Sequence, residues 1–387
     1  MAWRVGCALD TARPAGHGPM SPVDNGRLTH INLARGFRGG ERQTELLIRE
    51  LAADDIRQRV ILRAGEPLVE RLADVPGLTR VPIGRPFVWH ALGLRGQRLH
   101  AHDGKGAHFA YAAHRLSGCE YVITRRVDNR PSGSGSTRRM YLQAAKVVVL
   151  SQAIERVMTD YLPGLATARI PSAAGGFTVD RAAAAAIRAE FGGDYVVGHV
   201  GALDDSQKGQ MDLIAAARQL YAEDAGWRFV LVGGGRDADR LRMAAGDCPA
   251  IHFAGHVDNV GDYLAAFDAF AFPSVHEGLG STLIDAMHAG LPIVAAGVDG
   301  IPELVSHEVH GLLVAARAPD MLADALRRLR ARPDRARAMA ERAYEKSLAY
   351  TAAAMAERYR QLYTEIGWTR DERAAATTHR NRTRAGQ

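Results

Sequence analysis

The sequence predicts an α/β protein made of two doubly wound, Rossmann-like domains that face each other across a cleft. Three observations carry this. Short β-branched runs alternate with longer helical patterns along most of the chain, which implies parallel strands joined by crossover helices. The alternation pauses once, at "IPSAAGGFTVD" (170–180), and then restarts. The chain has 387 residues, whereas single cores stop growing at about 250–300.

In the first half, "LTHINLA" (28–34), "RVILRAG" (59–65), "RLHAHD" (98–103), "YVITRRV" (121–127) and "KVVVLS" (146–151) read as buried strands. "GERQTELLIRELAADD" and "AHFAYAAHRLSG" read as helices between them. In the second half, strands are expected at "YVVGHVG" (195–201), "RFVLVGGG" (228–235), "IHFAGH" (251–256), "AFAFPS" (269–274), "PIVAAG" (292–297) and "GLLVAA" (311–316). Helices are expected at 319–331 and 334–347. The resulting division is an extension at 1–26, with Met20 a candidate start, then domains at 27–172 and 173–350. A last helix at 351–368 is expected to return toward the first domain, ahead of a polar, disordered tail at 369–387.

Composition narrows the class. No apolar run approaches the roughly 20 residues of a membrane span, and the N-terminus lacks a signal-peptide core. Cys7, Cys119 and Cys248 are scattered, which argues against a disulfide framework or a zinc site and suits a reducing cytosol. The net charge of +6 is unevenly spread: residues 27–172 hold 23 Lys and Arg against 13 Asp and Glu, and residues 173–368 hold 19 against 26. The basic front half is either solubility chemistry or a face toward something anionic, such as a phosphorylated acceptor or a membrane surface. No basic–aromatic interleaving suggests nucleic acid.

The segment richest in chemistry is "VHEGLGSTLIDAMHAGLPIV" (275–294). A buried strand should run out into the loop Glu277-Gly278-Leu279-Gly280. Glycines there allow a tight turn and close backbone approach to a ligand. A helix starting near Gly280 presents free N–H groups and a dipole that favours an anion, with the Ser281 and Thr282 hydroxyls beside it. Asp285 lies four residues beyond Ser281, on the same helix face. The set fits a nucleotide-sugar: Glu277 on sugar hydroxyls, the helix start on diphosphate, Asp285 on a ribose diol. A capped αβ unit with two solvated acids fits the same residues, and both readings stay open on this segment alone.

The longer segment 268–314 resembles the C-terminal signature of family-4 retaining glycosyltransferases, the group 1 glycosyl transferases, which have the GT-B fold. Their two acids, usually both Glu and separated by seven residues, correspond to Glu277 and Asp285. "GIPELV" and "HGLLV" follow at the family's usual distances. "GALDDSQKGQMDLI" (201–214) resembles the family's Gly…Lys-Gly segment, whose lysine binds donor diphosphate; that role falls on Lys208. An Arg frequent after the first Gly is here Ala202. "FVLVGGG" with "IHFAGHV" resembles the segments flanking the base, which brings in Val257. "RGFRGGERQTELLIREL" (35–51) resembles the Gly-Gly loop over the donor phosphates, with Gly39 and Gly40 in that role.

The resemblance implies an acceptor-binding first domain and a nucleotide-sugar-binding second domain. It implies a hexosyltransferase-type enzyme that moves a sugar from a UDP-, GDP- or ADP-sugar to a glycan or lipid-linked envelope acceptor, with retention, by front-side attack. No cofactor and no metal are expected: Lys208 and the helix N-terminus stabilise the leaving diphosphate. The charge split and the Arg-rich stretch 125–139 suggest a cytoplasmic setting, peripheral on the inner face of a bacterial inner membrane. Where the family often has His after the strand "YVIT", Arg126 stands, able to bind phosphate or an anionic acceptor, or to be one more surface Arg. Asp103, in "HAHDGKGAH" (100–108), is the candidate for an acceptor hydroxyl, and His102 has a minor role. "PSGSGSTRR" (131–139) is expected to be a flexible acceptor loop. Alternatives are a sugar-nucleotide epimerase of the same fold and a non-catalytic nucleotide-sugar-binding module.

Overall fold

The structure, a computed structural model, describes residues 28–54 and 56–368. The expected extension at 1–26 and tail at 369–387 lie outside the described residues.

The first sheet contains β1 (Leu28–Asn32), β2 (Gln58–Arg63), β3 (Leu78–Ile83), β4 (Arg98–Ala101), β5 (Glu120–Arg125), β6 (Lys146–Val149) and β7 (Thr167–Arg169). All pairs are parallel, in the order β3-β2-β1-β4-β5-β6-β7. The second contains β8 (Tyr195–Val200), β9 (Trp227–Val232), β10 (Ile251–Gly255), β11 (Ala269–Phe272), β12 (Ile293–Ala296) and β13 (Leu312–Val314). It is likewise parallel, ordered β10-β9-β8-β11-β12-β13. Central strands such as β1, β8 and β11 are buried nearly throughout, as strands covered by helices on both faces must be.

β3 and β7 are absent from the sequence reading for physical reasons. β3 is an edge strand whose Thr79, Arg80 and Pro82 are exposed, so it shows no apolar run. β7 is three residues long. The 131–139 stretch also differs from expectation: a helix, Gly135–Leu142, begins inside it, because the Ser134 side chain accepts the Thr137 amide and caps it.

Between the sheets, the linker is held rather than loose. The Gln43 amide donates to Ala173 O at 2.8 Å and accepts the Ala173 N–H at 2.7 Å. Ala174 N–H donates to Tyr350 O at 2.7 Å, joining the outgoing and returning crossings. The final helix, Ala352–Glu365, buries Met355, Ala356, Tyr359, Leu362 and Tyr363 in one core with Leu28, Leu47, Leu51, Val122 and Val148 of the first domain.

In each sheet the strand order reverses once, between β1 and β4 and between β8 and β11. Ligands of doubly wound folds bind outside the carboxyl ends of strands at such points, so the fold directs attention to the loops after these four strands.

Candidate active site in the interdomain cleft

The loop after β11 is fixed from three sides. The Ser151 hydroxyl, from the first domain, donates to Gly278 O at 2.6 Å. The Glu277 N–H donates to Asp299 at 3.0 Å, and Gly300 N–H donates to Glu277 O at 3.2 Å. A Cβ on Gly278 would sit 2.8 Å from the Arg126 carbonyl oxygen, so glycine is what allows the two domains to close here. Gly280 has φ +94° and starts the Ser281–His288 helix. Its Ser281 and Thr282 make up the first turn, and Leu279 is buried beneath it.

Beside this loop lies the turn after β8. Val275 N–H donates to Gln207 O at 2.7 Å, which ties the two loops together. A Cβ on Gly209 would fall 2.1 Å from Pro273 O, so that turn too needs glycine. The result is an ion pair between Lys208 and Glu277, with the Lys208 Nζ also 5.4 Å from the Phe272 ring centroid. Their side chains are only 19% and 14% exposed, which places the pair inside the cleft rather than on the surface.

The first domain supplies the opposite wall. The Gly39–Ala52 helix starts where a Gly39 Cβ would lie 3.3 Å from the Ser281 Oγ, and a Gly40 Cβ 3.5 Å from the Arg126 side chain. Two helix N-termini therefore face each other across a narrow gap, where a side chain on Gly39 would crowd Ser281. Both dipoles favour an anion between them. Arg126 borders that gap with its Nε and Nη2 buried and without a hydrogen-bond partner among the described residues. Burial lowers its pKa, while Tyr359 and Glu41 favour the cation. A buried guanidinium with open donors is costly unless something supplies acceptors.

Two expected residues have other duties. Asp103 caps the Gly104–Ser117 helix: its carboxylate accepts from Leu33 N–H at 2.8 Å, Lys105 N–H at 3.0 Å and Gly106 N–H at 3.1 Å. Its expected contact with an acceptor hydroxyl gives way to this capping. Asp285 accepts the Gly175 N–H of the linker, beside Arg42. Burial pushes its pKa up to about 7, against the partial relief from Gly175 and Arg42. Val257 lies in the loop after β10, half-buried against the core. The "VGGG" glycines serve backbone packing: Cβ atoms on Gly233 and Gly235 would lie 2.0 and 2.3 Å from Gly201 O and Leu203 O.

Sequence reasoning missed a buried imidazole cluster. His30 and His100 are register partners on β1 and β4, with His102 just beyond. His30 Nδ1 lies 2.9 Å from His102 Nε2, and His30 Nε2 lies 2.9 Å from the Gln58 Oε1. His100 bonds the Tyr363 and Thr124 hydroxyls, each at 2.7 Å. Burial holds all three pKa values below the ordinary histidine range. The alternation His-Ala-His in "LHAHD" was the available signal, since one strand face carries both rings. Asp299, which orients Glu277, carried none.

Two Rossmann-like domains that face each other across a cleft at both switch points define the GT-B class. Residues 194–332 match the family described as glycosyl transferases group 1. A GDP-mannose-dependent alpha-(1-6)-phosphatidylinositol monomannoside mannosyltransferase of Mycobacterium tuberculosis is 37% identical over 145 residues, 34% of this chain and 38% of that one. The chain thus spans under half the length of that relative. An alpha-D-kanosaminyltransferase of Streptomyces kanamyceticus is 27% identical over 303 residues, 70% of this chain and 78% of its own. Anabaena HepE in complex with UDP-glucose superposes with a TM-score of 0.76 at 19% identity, covering 87% of this chain and 99% of that one. The chain has the GT-B fold, and its second domain is similar to the group 1 glycosyltransferases.

Proposed function

We propose that the protein is a retaining glycosyltransferase that moves a sugar from a nucleotide-diphosphate sugar to a glycan or lipid-linked acceptor. The observation that carries this is the Lys208–Glu277 pair set beside two opposed helix N-termini, where a Cβ on Gly39 would lie 3.3 Å from the Ser281 Oγ. In this reading the donor diphosphate lies against the Ser281 helix start and recruits Lys208 and the open donors of Arg126. Stabilising the leaving diphosphate with fixed cations and N–H groups is the largest electrostatic lever available to such a site. Glu277 accepts from the sugar hydroxyls, Asp285 shares its carboxyl between Gly175 and the ribose diol, and Val257 borders the base. The acceptor hydroxyl attacks the anomeric carbon from the face of the leaving group. The departing phosphate oxygen takes the hydroxyl proton, so no metal and no separate base are required. The relatives named for mannosyl and kanosaminyl transfer support the class of reaction, and the basic first domain suits an anionic acceptor at the inner face of a bacterial membrane.

The test begins with thermal shifts in UDP-, GDP- and ADP-sugars. A donor at 100 times its Kd should stabilise the fold by about 2.7 kcal/mol. The stabilising donor is then incubated with membrane lipid and glycan extracts. Transfer with retained anomeric configuration supports the proposal. Conversion of the donor into an epimeric nucleotide-sugar, or into nucleotide and a free epimeric sugar with water as co-reactant, with no acceptor consumed, would instead indicate an epimerase. No stabilisation by any donor would sink both.

A further inference from the structure

A groove of about 460 Å³ lies on the first domain between the 3-10 turn Phe87–Ala91 and the Gly104–Ser117 helix. It is lined by Phe87, Val88, Phe109 and Ala112, with Arg85 and Lys105 among its walls. Its volume is that of a small-molecule site. Its two ends differ. Lys105 is in the first turn of the helix that leaves β4, at the switch point, so this end opens toward the domain cleft. The Phe87 ring has two guanidinium groups near it, Arg63 and Arg85, each 6.0 Å from its centroid. Arg63 keeps a buried Nη1 with no hydrogen-bond partner among the described residues, though its Nε pairs with Glu66 at 3.1 Å.

The far end is apolar. Leu116 follows Ala112 by four residues and shares its helix face. The Ser117 hydroxyl donates to Ala91 O at 3.1 Å and Leu92 O at 3.2 Å, which closes the helix end onto the turn. Around this end Val88, Trp89, Leu92 and Leu116 are exposed, Trp89 by 69%. Exposed large apolar side chains grouped on one edge mark a binding or membrane-contact surface, and an exposed Trp suits the membrane interface.

We propose that this groove seats a phosphate-bearing lipid, with its head at Lys105, Arg85 and Arg63 and its chain running past Phe87, Phe109 and Ala112 toward Leu92 and Leu116. The inference rests on the transferase reading and deepens it by naming the acceptor as an anionic amphiphile. The polarity of the groove sets the direction: a cationic end at the cleft presents the head to the donor site, and the apolar end leaves the chain at a bilayer.

The experiment uses dihexanoyl-phosphatidylglycerol and dihexanoyl-phosphatidylcholine as monomers, below their micelle concentrations. Calorimetry gives affinity and Trp89 fluorescence reports the far end. Wild type should bind the anionic lipid at least tenfold tighter than the zwitterionic one, with a blue shift that Trp89→Phe removes. Ala112→Trp, which fills the groove, and Val88→Asp, an exposed position where folding is not at risk, should each weaken binding at least tenfold. Lys105→Glu should abolish the preference for the anion. Thermal shifts with the nucleotide donor should be unchanged in all of them. Unaltered affinity in both Ala112→Trp and Val88→Asp, or binding to vesicles but not to monomeric lipid, would overturn the groove. Lipid binding without any response to nucleotide-sugars would instead remove the transferase reading and leave the groove standing.

Discussion

The Lys208–Glu277 ion pair gives the donor-site reading its most discriminating test. In the protein without ligand these residues neutralise each other, with 19% and 14% of their side chains exposed. A nucleoside diphosphate would compete with Glu277 for Lys208. Lys208→Met removes one charge-assisted contact, worth about 1.5–3 kcal/mol, so diphosphate affinity should fall roughly 10- to 150-fold. Glu277→Gln keeps the shape and removes the resident anion, so the bare diphosphate should bind as tightly as before or tighter. The nucleotide-sugar should behave differently, because its hydroxyls lose their acceptor: transfer should collapse in Glu277→Gln even where the diphosphate binds well. Each variant leaves one poorly solvated charge, between the surface and the fully buried limits, at a cost of about 2 kcal/mol in stability. Calorimetric titration with UDP and GDP, alongside initial transfer rates, separates the two. If Glu277→Gln weakens bare diphosphate as much as Lys208→Met does, the competition does not exist and the site has been misread.

Three further outcomes are expected. Asp285 is held protonated up to about pH 7 against an ordinary value of 3.8. A raised carboxyl pKa costs stability as pH climbs through that window, by at most about 4 kcal/mol. Asp285→Asn should therefore raise the Tm at pH 8 and leave it unchanged near pH 3.5; an equal shift at both values would refute this. His30 and His199 are lowered from 6.5 to about 4 by burial, so folding resists their protonation. Stability should then fall as pH drops from 6.5 to 4, by at most about 3 kcal/mol for each ring. Because Asp285 slopes the other way, urea midpoints in the Asp285→Asn background give the clean reading, and a flat profile there would contradict it. Finally, a Cβ on Gly300 would lie 2.3 Å from Gly278 O and 3.0 Å from the Leu279 Cα. Gly300→Ala should displace the acidic loop, costing about 1–3 kcal/mol by thermal or urea denaturation and weakening diphosphate binding; wild-type values in both assays would show the loop can shift freely.

The sequence by itself determined the two-domain parallel α/β plan, because buried strands and amphipathic helices leave local periodicities of 2 and 3.6. All six strands of the second sheet coincide with runs legible in that way, β9 beginning one residue ahead of its run. It also determined that Glu277, Gly280 and Ser281 form one loop-to-helix turn, since those residues are adjacent in the chain. Edge strand β3 was illegible because half-exposed residues carry no such pattern. What only the tertiary structure decided are the partnerships between distant segments. Lys208 meets Glu277 across 69 residues, and Asp285 meets Gly175 across 110. A side chain on Gly39 would crowd Ser281, which stands opposite from the other domain. Asp103 looks in sequence like a free carboxylate at a strand end, and three backbone N–H groups claim it as a cap. Arg126 could be read in sequence as a phosphate contact or as one more surface cation, and the packing of the domains buries its donors. Charge, hydrogen bonding and burial are properties of neighbours in space, and a linear pattern records neighbours only within about one turn or one strand.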